Sequence, residues 1–376
     1  MSDQQPAQSD RAAQSDRRRI ALVGAGVIGR HHARVIAELA DRLELVAVVD
    51  PVAELAQQLV AGYGGKPFGS LAEALTGAEV DVVVICTPTG SHGPVAIEAL
   101  QAGKDVIIEK PAEITVERTD EIIAAQRASG RLVSVISQHR FDPSTEIAVA
   151  AIARGELGRL TSGIASIDWW RGQSYYDSGS WRGTWDLDGG GALMNQGVHT
   201  IDLLVATLGR PVEVFAYTGT LAHQRIEVED VAVGVVRFES GALGVLHATT
   251  AAYPGMSARL QVHGDRGSLV IDNDILTFIH RTPADDGAAE VAYGNPNADL
   301  NQVAEFPAAA APVQTAGADP GALGVAAHRR QYENVLAALD GTEELRVDLE
   351  VSRQAIAIIT GVYESARTGR PVKLSS

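Results

Sequence analysis

The sequence has almost no cysteine, few aromatic residues and a deficit of positive charge. Among 376 residues only Cys86 is a cysteine, aromatic residues make up 5%, and 31 Lys and Arg stand against 47 Asp and Glu. A single cysteine excludes an internal disulfide framework and is typical of a reducing compartment, so we expect a cytoplasmic protein. The net charge of −16 disfavours binding to nucleic acid or to an anionic membrane surface.

Long hydrophobic runs are also missing. No stretch of the sequence approaches the ~18 apolar residues of a membrane span. Residues 1–19 carry too few apolar side chains to offset the entropy of ordering, which predicts a disordered tail. The composition as a whole, 45% hydrophobic and 21% charged, is typical of a globular protein, and the length favours two domains.

The first predicted domain, residues 20–139, alternates short apolar runs with amphipathic stretches. Strands are predicted at 20–23, 45–49, 81–85, 106–108 and 132–136, with helices at 27–43, 53–59, 70–75, 93–102 and 116–128 between them. The strands are continuously apolar and therefore buried on both faces. This pattern predicts an α/β domain with a parallel sheet flanked by helices.

The pattern changes after residue 140. A helix near 145–154 and an apolar helix at 194–208 are followed by alternating segments that predict strands at 212–220, 231–238, 243–250, 259–263, 268–271 and 276–280. Residues 140–325 are thus predicted to form an α+β domain with a mainly antiparallel sheet, in which 281–321 is a long loop. Two helices within 326–376 are expected to pack back on the first domain.

A glycine-rich turn follows the first predicted strand. Gly24-Ala25-Gly26-Val27-Ile28-Gly29 fits G-x-G-x-x-G between a strand and a helix, the context in which this motif holds a dinucleotide pyrophosphate. The alternative is an ordinary turn between a strand and a helix. Asp50 ends the second strand, where a carboxylate binds ribose hydroxyls and repels a 2′-phosphate. We therefore expect NAD as the cofactor and NADP as the less favoured one, although Asp50 alone could be a helix cap.

Lys110 lies in Glu109-Lys110-Pro111, directly after the fourth strand. Ligands bind beyond the carboxyl ends of parallel strands, so Lys110 is predicted to face the cleft and to donate to a substrate oxygen, with its pKa lowered by burial. A lysine after a strand can equally be a surface residue.

The apolar helix at 194–208 carries Asn195, His199 and Asp202 at helical spacing on one face. Such a polar stripe suits the wall of a cleft, and His199 can accept a proton near neutral pH. The alternative is a helix cap and a buried structural histidine. We expect no metal site, because His199 and Asp202 lack further ligands and the adjacent His31 and His32 point apart.

These residues together resemble the Gfo/Idh/MocA oxidoreductases. The resemblance is carried by Gly24-x-Gly26-x-x-Gly29-x-x-His32, Glu109-Lys110-Pro111, Gly197-x-His199-x-x-Asp202 and Tyr363-Glu364-Ser365-Ala366. It implies an NAD-binding Rossmann domain, Lys110 and His199 as the catalytic pair, and a homodimer or homotetramer formed through the open C-terminal sheet. Inositol dehydrogenase-like members usually place an Asp where this chain has Asn195, so a Lys-His pair is expected, with Asn195 orienting a hydroxyl.

The resemblance also implies the other cleft positions. On the cofactor side they are Thr87, Pro88, Thr89, His92, Glu109 and Gln138, and on the substrate side it implies Arg140. Tyr176, Trp181 and Arg182 are expected as substrate contacts for a different reason, because they lie in a stretch of under twenty residues that holds all four Trp and two Arg. Trp and Arg side chains suit the C–H faces and hydroxyl or carboxylate groups of a sugar. The alternative for the aromatic stretch is a buried hydrophobic patch.

The expected activity is reversible hydride transfer between NAD and a secondary alcohol of a sugar, sugar acid, nucleotide sugar or cyclitol. Two alternatives stay open: a cofactor-dependent sensor of the same fold without turnover, and an NADPH-dependent reductase of an imine, lactam or tetrapyrrole. A variation on the expected activity is a tightly held cofactor that is recycled in place.

Overall fold

The fold is described by a computed structural model, which covers residues 17–282, 300–309 and 324–375. Six strands form the first sheet: β1 (Arg18–Val23), β2 (Leu43–Val49), β3 (Lys66–Phe68), β4 (Val82–Ile85), β5 (Asp105–Ile108) and β6 (Val133–Val135). Five helices connect them: α1 (Val27–Glu38), α2 (Ala53–Tyr63), α3 (Leu71–Gly77), α4 (His92–Gln101) and α5 (Val116–Ser129). The strands are parallel in the order β3-β2-β1-β4-β5-β6, which confirms the predicted Rossmann sheet.

A second sheet of eight strands follows. Its strands are β7 (Leu160–Asp168), β8 (Pro211–Gly219), β9 (Val231–Phe238), β10 (Leu243–Thr249), β11 (Ala258–Gly264), β12 (Ser268–Asp272), β13 (Ile275–His280) and β14 (Val372–Lys373). They are ordered β13-β12-β11-β7-β10-β9-β8-β14, and every neighbouring pair is antiparallel except β7 with β10. The prediction of a mainly antiparallel sheet is confirmed.

The remaining helices are α6 (Pro143–Ala153), α7 (Gln173–Tyr176), α8 (Val198–Leu208), α9 (Ala326–Leu339) and α10 (Leu349–Thr368). Helix α8 covers one face of the second sheet, where its buried Leu204 and Leu208 join the core of that sheet. Helix α9 packs on the first sheet through Tyr332 and Leu336. Helix α10 contributes Ile358 and Ile359 to the core of the second sheet and Ile356 to that of the first, so it ties the two sheets together.

Several predicted boundaries are wrong. Strand β1 begins at Arg18, inside the predicted tail, because Arg19 is held by Asp81 through both its main chain and its guanidinium group. Helix α1 ends at Glu38 rather than at residue 43, because residue 43 already begins strand β2. Strand β7 was not predicted, since two of its three buried residues, Gly163 and Ala165, are small and weaken the apolar signal.

Two further expectations concern helices and loops. The helix predicted at 194–208 is divided into a π-helical turn at Leu193–Gly197 and helix α8, which begins at Val198. Most of the long loop predicted at 281–321 lies outside the described residues. Among the helices that the structure describes, none is long and apolar enough to cross a bilayer.

Candidate active site

The glycine-rich turn between β1 and α1 leaves open space in front of a helix. A Cβ on Gly24, whose φ is +100°, would lie 2.5 Å from the carbonyl oxygen of Cys86, and a Cβ on Gly29 would lie 2.0 Å from that of Gly24. Close packing therefore requires these two glycines. By contrast, nothing lies within 4 Å of a Cβ on Gly26, and Val27 beside it is 58% exposed.

This open space fits a dinucleotide. The first N–H groups of α1 point out of the helix, and no side chain caps that end. A pyrophosphate placed against Gly26, Val27 and Ile28 would accept these hydrogen bonds and gain from the helix dipole. Asp50 at the end of β2 is fixed close by, because its Oδ2 accepts from the Ala25 N–H and its Oδ1 from the Val52 N–H, each at 2.8 Å. Its remaining lone pairs suit ribose hydroxyls.

A buried carboxylate fixes the main chain at Lys110. Glu109 Oε1 lies 2.8 Å from His32 Nε2, and its Oε2 accepts from the Lys110 N–H at 2.9 Å. The other ring nitrogen of His32 lies 2.7 Å from the Tyr332 hydroxyl on α9. Burial alone would raise the pKa of Glu109, but His32 and His328 hold it well below its ordinary value. Glu109 is therefore an anion that anchors the loop after β5.

The structure brings Lys110 to the helix that carries His199. Lys110 Nζ donates to the main-chain oxygen of Asn195 at 3.0 Å, across the boundary between the two sheets. From 191 to 205, Asn195 and His199 are half-buried whereas every other residue is buried, so these two face the opening. Burial lowers the pKa of Lys110. Burial, with the positive charges of Lys110 and His139, holds the pKa of His199 well below its ordinary value, which keeps the imidazole neutral and able to accept a proton.

Asp202 and Arg140, both expected in the cleft, are paired with each other. Arg140 donates to both carboxylate oxygens of Asp202 at 2.7 Å, and the Ser137 hydroxyl also contacts this carboxylate. His139, whose ring lies 5.1 Å from that of His199, is held between Asp142 and Asp274. Arg140 and Asp202 therefore form an ion pair within the protein, close along the chain to His139 and His199.

The aromatic stretch places two arginine side chains against the Tyr175 ring. The Tyr175 ring has the Arg182 guanidinium 4.4 Å and the Arg171 guanidinium 5.7 Å from its centroid. Arg182 also lies over Trp181 at 4.4 Å, and both arginines lower the pKa of Lys110. Tyr176 is buried instead, with its hydroxyl 2.7 Å from that of Thr250. Arg182 and Trp181 thus stay candidates for substrate contact, whereas the Tyr176 hydroxyl is used within the protein.

The other cofactor-side positions lie in two loops. Thr87, Pro88 and Thr89 follow β4, and Gln138 follows β6. The ring nitrogens of His92 lie 2.8 Å from the Pro111 oxygen and 2.9 Å from the Thr87 oxygen, so His92 bridges the loops rather than facing the opening. The cofactor contacts of Thr87, Pro88, Thr89 and Gln138 stay predictions.

Two potential metal-ligating groups lie within the described residues: His32 with Glu109 and His328, and His139 with Asp142 and Asp274. In each group the ligand atoms are already paired with one another, as imidazole with carboxylate.

Glu229 was missed by the sequence analysis. Its carboxylate accepts from the N–H groups of Gly191 and Leu193 at 2.9 and 2.8 Å and from the Tyr363 hydroxyl at 3.1 Å, so it clamps the turn that leads to Asn195. Because all its partners are neutral donors, burial prevails and raises the pKa of Glu229 to about 7. An isolated Glu before a strand gives no sequence signal for this role.

Glu229 makes stability depend on pH. The pKa of Glu229 in the folded state lies above the ordinary 4.5, so ionisation of this carboxyl lowers the free energy of unfolding. The loss is absent at low pH and grows between pH 4.5 and 7, to about 3 kcal/mol. For Glu229→Gln, whose side chain does not ionise, we expect the difference in melting temperature, variant minus wild type, to become more positive from pH 5 to pH 8. Glu227→Gln, at an exposed neighbouring position, is the matched control. A difference that stays constant with pH would contradict this role.

Asp50 is predicted to set the choice between NAD and NADP. Charged hydrogen bonds contribute about 1.5–3 kcal/mol, so Asp50→Ala should weaken NADH binding by about ten- to a hundredfold. NADPH binding should weaken less or improve, because a repelling carboxylate is removed. Titration of both cofactors by tryptophan fluorescence measures this, with Asp41→Ala, at an exposed position, as the control. Equal losses for NADH and NADPH would show that Asp50 does not contact the ribose.

Comparisons with known proteins agree with this geometry. Residues 18–137 match the profile of an oxidoreductase family with an NAD-binding Rossmann fold, and residues 146–270 match the GFO/IDH/MocA C-terminal domain. The WlbA dehydrogenase of Bordetella pertussis, solved with NADH and UDP-GlcNAcA, is 32% identical with a TM-score of 0.82 over 96% of this chain and 99% of that one. GenD2 of gentamicin A biosynthesis, solved with NAD, is 25% identical with a TM-score of 0.76 over 98% of this chain and all of that one.

A curated relative points the same way. An inositol 2-dehydrogenase of Rhizobium meliloti is 29% identical over 261 residues, which are 68% of this chain and 76% of that protein. The glycine turn, Asp50 and the profile match together show an NAD-binding Rossmann domain, as the sequence predicts. The chain belongs to the Gfo/Idh/MocA family of NAD-dependent oxidoreductases.

Proposed function

We propose that this protein catalyses the reversible oxidation of a secondary hydroxyl on a sugar-type substrate, with Lys110 and His199 as its catalytic pair. The observation that carries the proposal is the hydrogen bond from Lys110 Nζ to the Asn195 oxygen, one turn before His199. It joins the end of β5 in the cofactor-binding sheet to the helical segment on the second sheet. It lies beyond the carboxyl ends of the parallel strands, the side on which such sheets bind their ligands.

The two side chains have different tasks. His199, neutral because its pKa is low, accepts the proton of the substrate hydroxyl and returns it in the reverse direction. Lys110 donates a hydrogen bond to the same oxygen as it becomes a carbonyl. The chemistry that NAD supplies when bound is acceptance of the hydride. Gly26, Val27, Ile28 and Asp50 would hold the cofactor.

The charges around Lys110 favour an anionic substrate. Arg182 and Arg171 lie against the Tyr175 ring, 4.4 and 5.7 Å from its centroid. Both lower the pKa of Lys110, although Glu109 and Asp188 raise it by more. A guanidinium group binds carboxylate and phosphate well. The Bordetella relative, whose structure contains UDP-GlcNAcA, supports the same class. We therefore favour a sugar acid or a nucleotide sugar over a neutral sugar or a cyclitol.

The test is a substrate screen with NAD, read as NADH absorbance. Uronic acids and nucleotide-sugar acids should react with a kcat/KM at least about tenfold above those of inositols and neutral sugars, since one charge-assisted hydrogen bond is worth about 1.5–3 kcal/mol. Lys110→Ala should lower kcat at least about a hundredfold while NADH still binds. Lys66→Ala, at an exposed lysine, is the control.

Two outcomes would contradict the proposal. Wild-type activity in Lys110→Ala would remove Lys110 from catalysis. Binding of NADH and of a sugar without turnover of any compound in the screen would favour the sensor alternative.

The outer face of the second sheet supports self-association. Tyr217 on β8, Val233 and Val235 on β9, and Leu243 and Val245 on β10 are between 43% and 65% exposed. Strand register makes them neighbours, since Tyr217 pairs with Val233 and Val235 pairs with Val245. A contiguous apolar surface of this kind is typical of an interface. We propose that it meets a second copy in a homodimer or a homotetramer.

Val235→Glu would place a charge in the centre of this surface, so we expect the variant to have a lower mass than wild type by light scattering after size exclusion. Thr277→Glu, on the exposed side of β13, should leave the mass unchanged. A monomeric wild-type protein would refute the interface.

A further inference from the structure

A buried carboxylate lies beside the proposed catalytic pair, in a loop that the sequence analysis did not single out. Asp188 is 1% exposed. Its Oδ2 accepts from the Gly183 N–H at 2.7 Å, and its Oδ1 is in direct contact with Asn195 Nδ2. Asn195 thus has two polar partners: its main-chain oxygen receives Lys110 Nζ, and its side-chain amide donates to Asp188.

The loop that carries Asp188 is fixed from both sides. The Gly90 N–H, in the cofactor-side loop after β4, donates to the Leu187 oxygen at 2.9 Å. A Cβ on Gly189 would lie 2.4 Å from the side chain of Ile114, shortly after Lys110 in the chain. Because both neighbours of Asp188 are held by the first sheet's loops, its carboxylate has a defined place between those loops and Asn195.

Asp188 and Lys110 interact electrostatically. The negative charge of Asp188 raises the pKa of Lys110, against the lowering effect of burial, and Lys110 in turn favours the ionised form of Asp188. Burial nevertheless raises the pKa of Asp188 itself. The charged groups that act on Lys110 from the surrounding elements are Glu109, Asp188, Arg171 and Arg182. Lys110 and His199 also affect each other, because the positive charge of Lys110 lowers the pKa of His199.

We propose that Asp188 is a positioning residue for the reaction: it fixes the Asn195 amide and so the carbonyl that receives Lys110 Nζ, and it places a carboxylate at the residue to which Lys110 is bonded. The chain thereby has a carboxylate next to the catalytic pair although position 195 itself carries a neutral amide. The inference rests on the proposed pairing of Lys110 with His199.

A carboxylate is required at position 188 because two donors converge on it. The Asn195 amide and the Gly183 N–H both donate, and a carboxylate accepts from both. An Asn at this position would have one acceptor oxygen and would direct its own N–H₂ at one of the two donors. Asp188→Asn therefore removes both the charge and one hydrogen bond with almost no change in volume.

The test reads the titration of Lys110 directly, without substrate. The chain has four lysines, Lys66, Lys104, Lys110 and Lys373, so NMR of the protein with isotopically labelled dimethyl-lysine gives few resonances, and Lys110→Arg assigns the one of interest. Loss of an opposite charge at close range shifts a pKa by about 1–3 units, so Asp188→Asn should lower the pKa of Lys110 by about one unit or more. Asp186→Asn, at an exposed position in the same loop, should not change it.

A double variant distinguishes a positioning role of Asp188 from a purely structural one. In Asp188→Asn with Asn195→Asp, carboxylate and amide trade places, so the Gly183 N–H and the carboxylate each keep a partner and the net charge is restored. We expect the pKa of Lys110 to return toward wild type. With an active substrate, kcat should fall about tenfold or more in the single variant and recover partly in the double one.

An unchanged pKa of Lys110 in a folded Asp188→Asn variant would overturn the inference, whatever the substrate is. Full activity of Lys110→Ala would instead overturn the proposed function. The two failures are therefore distinguishable, because the first is read by NMR and the second by turnover.

Discussion

The hydrogen bond from Lys110 to the Asn195 carbonyl is the contact on which the candidate site depends. It ties the loop after β5 to the π-helical turn that precedes α8, so it joins the cofactor-binding sheet to the second sheet. A buried carboxylate holds the main chain on each side of this contact. Glu109 accepts from the Lys110 N–H, and Glu229 accepts from the Gly191 N–H in the turn that leads to Asn195. A π-helical turn inside a helix is frequent at functional sites, because it re-aims side chains at a small cost in regularity.

Three buried carboxyl groups lie around this contact, and the charge of the groups that contact each one determines how far its pKa is shifted. Glu109 is paired with imidazoles and has a pKa well below its ordinary value. Glu229 receives only neutral donors, and burial raises its pKa to about 7. Asp188 lies between these cases, because its direct partners are neutral amides while Lys110 and Arg182 act from nearby. Burial is common to all three, so the differences come from the charge of the partner and not from depth.

The sequence predicted those features that depend on neighbours along the chain. The glycine turn, Asp50 and Lys110 each follow a buried strand, and His199 lies on an apolar helix, so spacing alone places them at the edge of a sheet or on one helix face. Strand β7, Asp188 and Glu229 could not be predicted in this way. The small residues of β7 are buried only because α8 covers them, and the two carboxylates acquire their roles from partners far along the chain, such as Tyr363. Asp202 and Arg140 illustrate the same limit, since each was expected to face the cleft but finds its partner in the other.

The arginines of the aromatic stretch contrast with the charge of the whole molecule. The chain carries a net charge of −16, whereas Arg171 and Arg182 lie together against the Tyr175 ring in the stretch proposed to contact the substrate. At physiological salt the surface charges are screened beyond about 8 Å, so they neither attract nor strongly repel a small anion until it reaches the opening. Inside, water is scarce and the same cations act at short range, where their attraction is much larger. The proposed recognition of an anionic sugar thus depends on the few residues around Lys110, whereas the acidic surface disfavours polyanions such as nucleic acids.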